Sequence, residues 1–419
     1  MNMKKIFLPL ALSLAAFLTG WSQRYVGGDI SLLPEYEEAG AQYKTQEGTD
    51  ITDILPWLHD EGMNAMRVRR VVSPEDHKAK YPTNHDPNAC QDLHYIIPLC
   101  QRIVDDGFKL MLDFHYSDTW ADPAKQWIPE SWRGLSDEQL YQKIYDYTKE
   151  TLHALKEAGV TPAFIQPGNE ISYGILWGTE DAPESSLKKA FMGSDANWAR
   201  FGKLLSQAIK ACREECPDAR IVLHTERVAQ PNVLTDFYDR MKKMDVDYDI
   251  IGLSYYPYFH GDMATLDSAL STLQDKYPEK NIMIVETGYT YKWEVPGSTH
   301  DFSGKWAYSE AGQDSFARDL VTTLEKYDSV NGLFWWWMEY NAYGTNLGGW
   351  YNAPLFNSLD GKATPALKTI CSFGDDSGVE SIGTGETEHT VWYDLQGHQV
   401  NNPDTPGIRV SGKGKVLVK

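Results

Sequence analysis

Short apolar or β-branched runs along the chain alternate with longer segments in which apolar residues recur at helical spacing. The short runs predict eight strands: Val26–Ser31, Ala65–Arg69, Lys109–His115, Ala163–Glu170, Arg220–His224, Ile250–Tyr255, Asn281–Glu286 and Gly332–Trp337. Among the segments between them, Asp137–Ala158, Asn197–Cys212 and Asp314–Tyr327 are predicted helices. No predicted strand is followed by a GxGxxG turn, which disfavours a dinucleotide-binding sheet. The pattern therefore predicts an α/β fold, a (β/α)8 TIM barrel.

Polar or aromatic residues stand at or just beyond the C-terminal end of every predicted strand. They are Asp29, Arg67, His115, Asn169, Glu170, His224, Tyr255, Glu286 and Trp336. In barrel enzymes the loops at this end of the strands build the active-site cleft. We therefore expect these side chains to surround one cleft.

Two of these residues, Glu170 and Glu286, end predicted strands four and seven. In a closed eight-stranded barrel those two strand ends face each other across the mouth. Retaining glycosidases need two carboxyl groups about 5–5.5 Å apart, one protonated to act as acid and one ionised to attack. The pair predicts a retaining glycosidase with Glu170 as acid/base and Glu286 as nucleophile, although an ordinary salt-bridging role is the alternative for each residue.

Three neighbouring residues are candidates to support this pair. Asn169 could donate to the 2-hydroxyl of the sugar, a contact that strengthens in the transition state. Arg67 could ionise the nucleophile and Tyr255 could donate to it, and each contact would lower the pKa of Glu286. A structural ion pair for Arg67 and core packing for Tyr255 are the alternative interpretations.

His115 lies within the segment Asp113–Pro123, which is rich in aspartate. A metal site here would call for an HExxH pattern or a second suitably spaced histidine, and the sequence has neither. We therefore predict no metal and interpret His115 as a candidate substrate-binding residue.

Tryptophans are concentrated in the predicted loops and at the end of the last strand. Those in the loops after strands three, four and eight are Trp120, Trp127, Trp132, Trp177 and Trp350. A tryptophan ring can stack on a sugar or fill a core, and the loop positions favour sugar stacking. Within the run Trp335–Trp337 side chains alternate in direction, and we predict Trp336 as the floor of the cleft.

Charge and cysteine content exclude some classes of protein. The formal net charge is −20 and no Lys/Arg cluster is present, so nucleic acid is not an expected partner and a neutral polymer fits better. The five cysteines are odd in number and contain no CxxC pair, so we expect stability to come from the core rather than from disulfides. The absence of a G-x-S-x-G elbow disfavours a serine hydrolase.

The two ends of the chain differ in composition from its middle. The basic head Met1–Lys5 and the apolar run Ile6–Leu18 predict a signal peptide over residues 1–22, and hence a secreted, periplasmic or cell-surface protein without a membrane span. Trp21 stands where a lipoprotein signal requires cysteine. We predict a barrel over 23–371, a linker over 372–389 and a small C-terminal β module or sorting tail over 390–419.

Five segments together resemble the motifs of glycoside hydrolase family 53. They are Gly62–Arg69, Leu112–Pro123, Gly168–Glu170, Ser254–Tyr258 and Val285–Thr287. The resemblance runs from about Gly27 to Ala366, and the stretch Asp113–Pro123 is its most specific part. The family comprises endo-β-1,4-galactanases, also called arabinogalactan endo-β-1,4-galactosidases.

The resemblance implies a (β/α)8 barrel that hydrolyses β-1,4-galactan, a neutral side chain of pectin, by double displacement. It assigns the acid/base role to Glu170 and the nucleophile to Glu286. It also implies that five further residues surround the cleaved sugar: Arg67, His115, Asn169, Tyr255 and Trp336. We expect a monomer that binds this polysaccharide.

The chain departs from the family where some members bind calcium, in the segment after strand seven. Here Tyr289–Ser309 contains only Glu294, His300 and Asp301 as scattered candidate ligands, so we expect no calcium and no other cofactor. Two alternatives to a galactanase are a retaining endoglycanase on another β-1,4-glycan such as mannan, and a non-catalytic glycan-binding barrel. The Asp113–Pro123 stretch disfavours the first, and the presence of both glutamates disfavours the second.

Overall fold

The computed structural model describes residues 23–182, 188–191, 194–345 and 353–374, together with the backbone of four short strands beyond residue 391. The chain forms two compact units, one ending at Gly374 and the other beginning at Asp375. The predicted signal peptide at 1–22 and the predicted sugar platform Trp350 lie outside the described residues.

The first unit is a closed barrel of eight parallel strands. Each strand pairs with the next in sequence, and the last pairs with the first. The strands are β1 Tyr25–Asp29, β2 Ala65–Val71, β3 Lys109–His115, β4 Phe164–Gln166, β5 Arg220–Thr225, β6 Ile250–Tyr255, β7 Asn281–Thr287 and β8 Val330–Trp335. The predicted (β/α)8 architecture is confirmed.

Eleven α-helices are described in this unit. They are α1 Leu33–Glu38, α2 Ile54–Asp60, α3 Pro74–Lys80, α4 Leu93–Asp105, α5 Asp137–Glu157, α6 Asp195–Glu215, α7 Pro231–Lys243, α8 Pro257–His260, α9 Met263–Lys276, α10 Glu310–Leu324 and α11 Pro365–Cys371. Local sequence sets their ends: Ser136 and Gln139 form a capping box that starts α5, because each side chain bonds the other's backbone N–H. Three short 3₁₀ turns cover Glu130–Trp132, Ile171–Tyr173 and Ser372–Gly374.

Strand β4 is shorter than the sequence predicted, and this matters for the site. The prediction extended it to Glu170, but the ladder ends at Gln166. Pro167 has no N–H to donate, and Gly168 has φ +115°, which turns the chain out of the sheet. Glu170 therefore lies beyond the strand, in the left-handed region at φ 47° and ψ 56°.

Side chains that point into the barrel change in character along its axis. Several of them form one buried apolar cluster: Ala65, Met111, Phe164, Val222, Ile250, Met283, Val285 and Phe334. Because side chains alternate along a strand, the residues two positions further on point the same way. At those positions β2 carries Arg67, β3 carries Asp113 and β5 carries His224. The barrel thus has an apolar floor beneath a polar mouth.

The first unit extends to Gly374, beyond the predicted end of the barrel at residue 371. Ser372–Gly374, predicted as the start of a linker, instead continue α11 as a 3₁₀ turn with Phe373 fully buried. The second unit contains the antiparallel strands β9 Trp392–Tyr393, β10 Gln399–Val400, β11 Gly407–Ser411 and β12 Gly414–Val418, in the spatial order β10-β9-β11-β12.

All five cysteines are free thiols. Within the described ranges no helix is both long and apolar enough to cross a membrane.

Candidate active site

Glu170 and Glu286 lie on the wall of one cleft at the C-terminal end of the barrel. Glu286 lies in β7 and is 5% exposed, whereas Glu170 is half-buried just after β4. One carboxylate oxygen of each residue lies within 4.8 Å of the other. The separation is that of two carboxyl groups that can act on the same bond, one from each side.

A buried arginine ties Glu286 to three other barrel strands or strand ends. The guanidinium of Arg67 is fully buried, and its Nη2 lies 2.9 Å from Oε1 of Glu286. The same Nη2 donates to Asp113 Oδ2 at 2.8 Å and to Asn169 Oδ1 at 2.9 Å, while Nη1 donates to Asp29 Oδ2 at 3.1 Å. The cation therefore faces three carboxylates and fixes the oxygen of Glu286 that lies nearest to it.

The two glutamates differ in their electrostatic surroundings. Burial raises the pKa of Glu286 to about 7, against the opposing effect of Arg67 and of a hydrogen bond from Tyr256. Burial raises the pKa of Glu170 further, well above its usual range, and the nearby charge of Glu286 adds to the effect. Arg67 lowers the pKa of Glu286 as predicted, and so does a tyrosine, but desolvation outweighs both and the net shift is upward. Their effect is to keep it the more acidic member of the pair.

A chain of hydrogen bonds fixes the carboxyl group of Glu170. The hydroxyl of Ser254 donates to Oε1 of Glu170 at 2.7 Å, and Nε2 of His224 lies 2.7 Å from that hydroxyl. The backbone N–H of Glu170 points at Nδ1 of His224, which therefore accepts and leaves the ring proton on Nε2. Burial and the charge of Arg67 hold the pKa of His224 well below its usual range, so the ring is neutral.

The tyrosine that contacts Glu286 is Tyr256, not Tyr255 as predicted. The Tyr256 hydroxyl donates to Oε2 of Glu286 at 3.2 Å. Tyr255 is fully buried, donates to the carbonyl of Gly261 at 3.0 Å and stacks on Phe316 of α10. The reason is strand alternation: Tyr256 shares the inward direction of Ser254, while Tyr255 points outward to the helices.

Asn169 lies on the cleft wall, next to Glu170, as predicted. Its Oδ1 accepts from Arg67, and one N–H of its amide donates to the carbonyl of Ala121 at 2.8 Å. These two bonds fix which end of the amide is the donor. Since an amide nitrogen carries two hydrogens, a second N–H is left for a sugar hydroxyl.

Arg67 and His115 lie beneath the cleft surface rather than on it. His115 is 1% exposed; its Nε2 donates to Asp113 at 2.9 Å and its Nδ1 accepts from the backbone N–H of Ala121 at 3.0 Å. Neither residue lines the cleft. Each side chain is bonded to buried partners that hold the residues above it, and the predicted contact of both with the sugar stays a prediction.

Trp120 and Trp336 do line the cleft, where they flank a buried arginine. The guanidinium carbon of Arg69 lies 4.4 Å from the ring centroid of Trp120 and 5.0 Å from that of Trp336. Nε1 of Trp120 also donates to Asp86 at 2.7 Å. Cation–π contact and this hydrogen bond hold the two indoles in place, which is what a stacking surface for sugar requires.

Three other predicted tryptophan platforms, Trp127, Trp132 and Trp177, do not line the cleft. Trp132 and Trp177 are each 1% exposed and belong to the packed interior. Trp127 is half-buried and packs edge-on against Trp177, with ring centroids 4.8 Å apart. A loop position alone did not distinguish these core tryptophans from sugar platforms, because long βα loops bury side chains of their own.

Glu226 is an acidic residue of the cleft that the sequence did not predict. It directly follows β5, is 9% exposed and lines the cleft. Strand alternation was the signal that could have found it: Glu226 stands two residues after His224 and so faces the barrel mouth.

Glu170, His224 and Glu286 also form the one described group with a spacing that could hold a metal ion. The histidine nitrogens are occupied by protein hydrogen bonds, and the Arg67 cation already lies 2.9 Å from Glu286. A second cation there would be repelled. The prediction of no metal stays a prediction.

Comparison with known proteins agrees with this geometry. The model of "Glycosyl hydrolase family 53" matches residues 25–370. An arabinogalactan endo-β-1,4-galactanase of Cellvibrio japonicus is 34% identical over 87% of this chain and 96% of its own, and an endo-β-1,4-galactanase of Bacillus subtilis is 31% identical over 74% and 68%. The solved Ignisphaera aggregans GH53 catalytic domain superposes with a TM-score of 0.70 at 31% identity, covering 83% of this chain and 95% of that one.

The Arg67 network predicts a stability loss that depends on pH. Arg67→Met should lower the free energy of unfolding by about 3–5 kcal/mol at pH 7, because it leaves buried carboxylates without their cation. Without Arg67 the pKa of Asp113, now held below its ordinary value, rises, and the already raised pKa of Glu286 rises further. The variant should therefore lose stability as pH increases from about 4 to 7.

The measurement is urea unfolding at several pH values. Arg318→Met is the control, because Arg318 is exposed and, within the described part of the chain, forms an ion pair only with Asp314, at 2.5 Å in α10. This variant should lose less than about 1 kcal/mol of unfolding free energy at every pH. If Arg67→Met lost little unfolding free energy, or lost the same amount at every pH, the stabilising role of Arg67 would be contradicted.

Proposed function

Because the chain belongs to glycosyl hydrolase family 53 and is a glycoside hydrolase, we propose that it cleaves internal β-1,4-galactosidic bonds of type I (arabino)galactan with retention of configuration. The observation that carries the retaining mechanism is the spacing of the two glutamates, with oxygens within 4.8 Å of one another. Inverting glycosidases separate their carboxyl groups by about 6.5–9.5 Å to leave room for a water molecule.

In the first step Glu286, ionised beside Arg67, attacks the anomeric carbon of the bound sugar. The bond between that carbon and the glycosidic oxygen breaks, and Glu170 donates its proton to the departing oxygen. The product is a galactosyl ester on Glu286. The raised pKa of Glu170 suits it to hold the proton at neutral pH, and Arg67 with Tyr256 stabilises the charge on Glu286.

In the second step water replaces the leaving sugar. Glu170, now ionised, takes a proton from the water as its oxygen attacks the anomeric carbon, and the ester bond to Glu286 breaks. Glu170 is thereby protonated again and Glu286 is again a carboxylate. Two inversions at one carbon give net retention of configuration.

The substrate class is supported by the relatives. Proteins named as endo-β-1,4-galactanases match this chain over most of its barrel at about 30% identity. The Trp120 and Trp336 surface suits a neutral sugar, because an indole face binds the apolar C–H face of a pyranose ring. The relatives favour galactan over mannan or another β-1,4-glycan, and the presence of both glutamates favours a catalyst over a non-catalytic binding barrel.

The biological setting is proposed from the sequence. The basic and apolar segments within residues 1–22 support export, so that the enzyme acts outside the cytoplasm or at the cell surface. Galactan side chains of pectin are its proposed natural substrate there. The net charge of −20 suits a neutral polysaccharide better than nucleic acid, and we propose that the enzyme acts as a monomer.

A panel of polysaccharides tests the substrate. The purified protein should release reducing ends from pectic galactan and none from galactomannan, cellulose or xylan. The Glu286→Gln variant is the negative control, and it should lose essentially all turnover because an amide cannot form the ester. Hydrolysis of galactomannan or xylan but not of galactan would show that the proposed substrate is wrong. Inactivity on all four polysaccharides would favour a non-catalytic binding role.

The contact from Tyr256 to Glu286 predicts a shift in the pH dependence of galactan hydrolysis. Tyr256→Phe removes a donor to the carboxylate and so raises the pKa of Glu286. The acid limb of kcat/KM should move to higher pH by about 0.5 to 1 pH unit.

Tyr255→Phe is the matched control one residue away. It removes a buried bond to the Gly261 carbonyl, so it should cost about 1 kcal/mol of stability and leave the acid limb in place. A shift in Tyr255→Phe but not in Tyr256→Phe would reverse the assignment of the two tyrosines.

A further inference from the structure

Glu226 is a cleft carboxylate that the mechanism above does not use. It follows β5, the strand next to β4, and lines the cleft beside Glu170. The hydroxyl of Ser172 donates to its Oε1, and Nε of Arg227 lies 2.8 Å from the same oxygen. Ser172 belongs to the 3₁₀ turn that begins directly after Glu170. Glu226 is thus held in a fixed position relative to the acid.

The second carboxylate oxygen of Glu226 has different surroundings from the first. Oε2 is buried, and among the described residues nothing donates a hydrogen bond to it. Leaving a buried carboxylate oxygen unpaired costs free energy, which a ligand hydroxyl would recover. Burial raises the pKa of Glu226, while the adjacent Arg227 favours the ionised form.

The order of strands around the barrel shows on which side of the bond Glu226 lies. Glu170 follows β4 and Glu286 lies in β7, so these two divide the mouth into halves. Trp336 follows β8 and Trp120 follows β3, which places both in one half. Glu226, after β5, and the exposed ring of Phe259, after β6, line the other half.

The half with Trp120 and Trp336 provides the stacking surface for the cleaved sugar. The leaving sugar must then lie over β5 and β6, on the side from which Glu170 protonates its oxygen. We propose that Glu226 is a specificity residue that accepts a hydrogen bond from a hydroxyl group of the leaving sugar. The inference rests on the proposed glycan hydrolysis and extends it to the leaving-group subsite.

The test compares two substrates that differ only in the leaving group. One is β-1,4-galactan, whose leaving group is a sugar. The other is a 4-nitrophenyl β-1,4-galacto-oligosaccharide, whose nitrophenol occupies the same place without hydroxyl groups of a sugar. Glu226→Ala should lower kcat/KM on galactan by about 10- to 100-fold, the effect of losing a hydrogen bond to a charged group. On the nitrophenyl substrate the loss should stay below about threefold.

Glu226→Gln provides a second variant that keeps the local packing. Ser172 donates to the Oε1 position and Nε of Arg227 lies 2.8 Å from it, so the amide oxygen will stay there and the NH2 group will take the Oε2 position. The group that faces the sugar changes from acceptor to donor. The kcat/KM of this variant on galactan should therefore lie between that of wild type and that of Glu226→Ala. On the nitrophenyl substrate kcat/KM should again decrease less than on galactan.

Each variant is assayed at its own pH optimum, because the charge of Glu226 also raises the pKa of Glu170. Glu325→Gln, at an exposed ion pair with Arg24, is the control and should match wild type on both substrates. Equal losses on the two substrates, or a galactan loss that disappears at the shifted optimum, would overturn the proposal. If wild type leaves galactan intact but cleaves the nitrophenyl substrate, the galactan assignment fails instead, and the inference about its leaving sugar falls with it.

Discussion

The buried guanidinium of Arg67 is the interaction on which the site depends. It lies below the cleft and contacts Asp29, Asp113, Asn169 and Glu286, which come from four different parts of the barrel. Each carboxylate would be costly to bury alone, and one cation compensates three of them. The same contacts that make the polar mouth compatible with folding also hold the carboxylate of Glu286 in place.

This arrangement explains how two glutamates within 4.8 Å can serve opposite purposes. Both are desolvated, so both have raised pKa values, and a shared cleft disfavours two charges at once. Arg67 and Tyr256 favour the charge on Glu286, whereas Glu170 contacts the hydroxyl of Ser254 and a neutral histidine. The proton therefore belongs on Glu170. The asymmetry comes from the partners of each residue and not from the residue type.

Much of the fold followed from the sequence because strands and helices differ in period, and all eight barrel strands were found near their observed positions. The two glutamates and the cleft face followed from the same strand-end logic. Glu226 and Tyr256 lie just beyond β5 and β6, where side chains continue to alternate in direction. The prediction did not extend this alternation past the strand ends, so it named neither residue. His115, Trp132 and Trp177 were placed at the surface because sequence position near the mouth does not reveal whether a side chain is covered by a loop.

The central claim is that Glu286 forms a covalent bond to the cleaved sugar. An activated aryl 2-deoxy-2-fluoro-β-galactoside tests it most directly, because the fluorine slows both formation and hydrolysis of the ester, whereas the good leaving group speeds only its formation. Intact mass should increase by one fluorosugar, and peptide mapping should locate the label on Glu286 in wild type and find none in Glu286→Gln. A label on Glu170 or Glu226, or turnover that gives the inverted product without any label, would contradict the account.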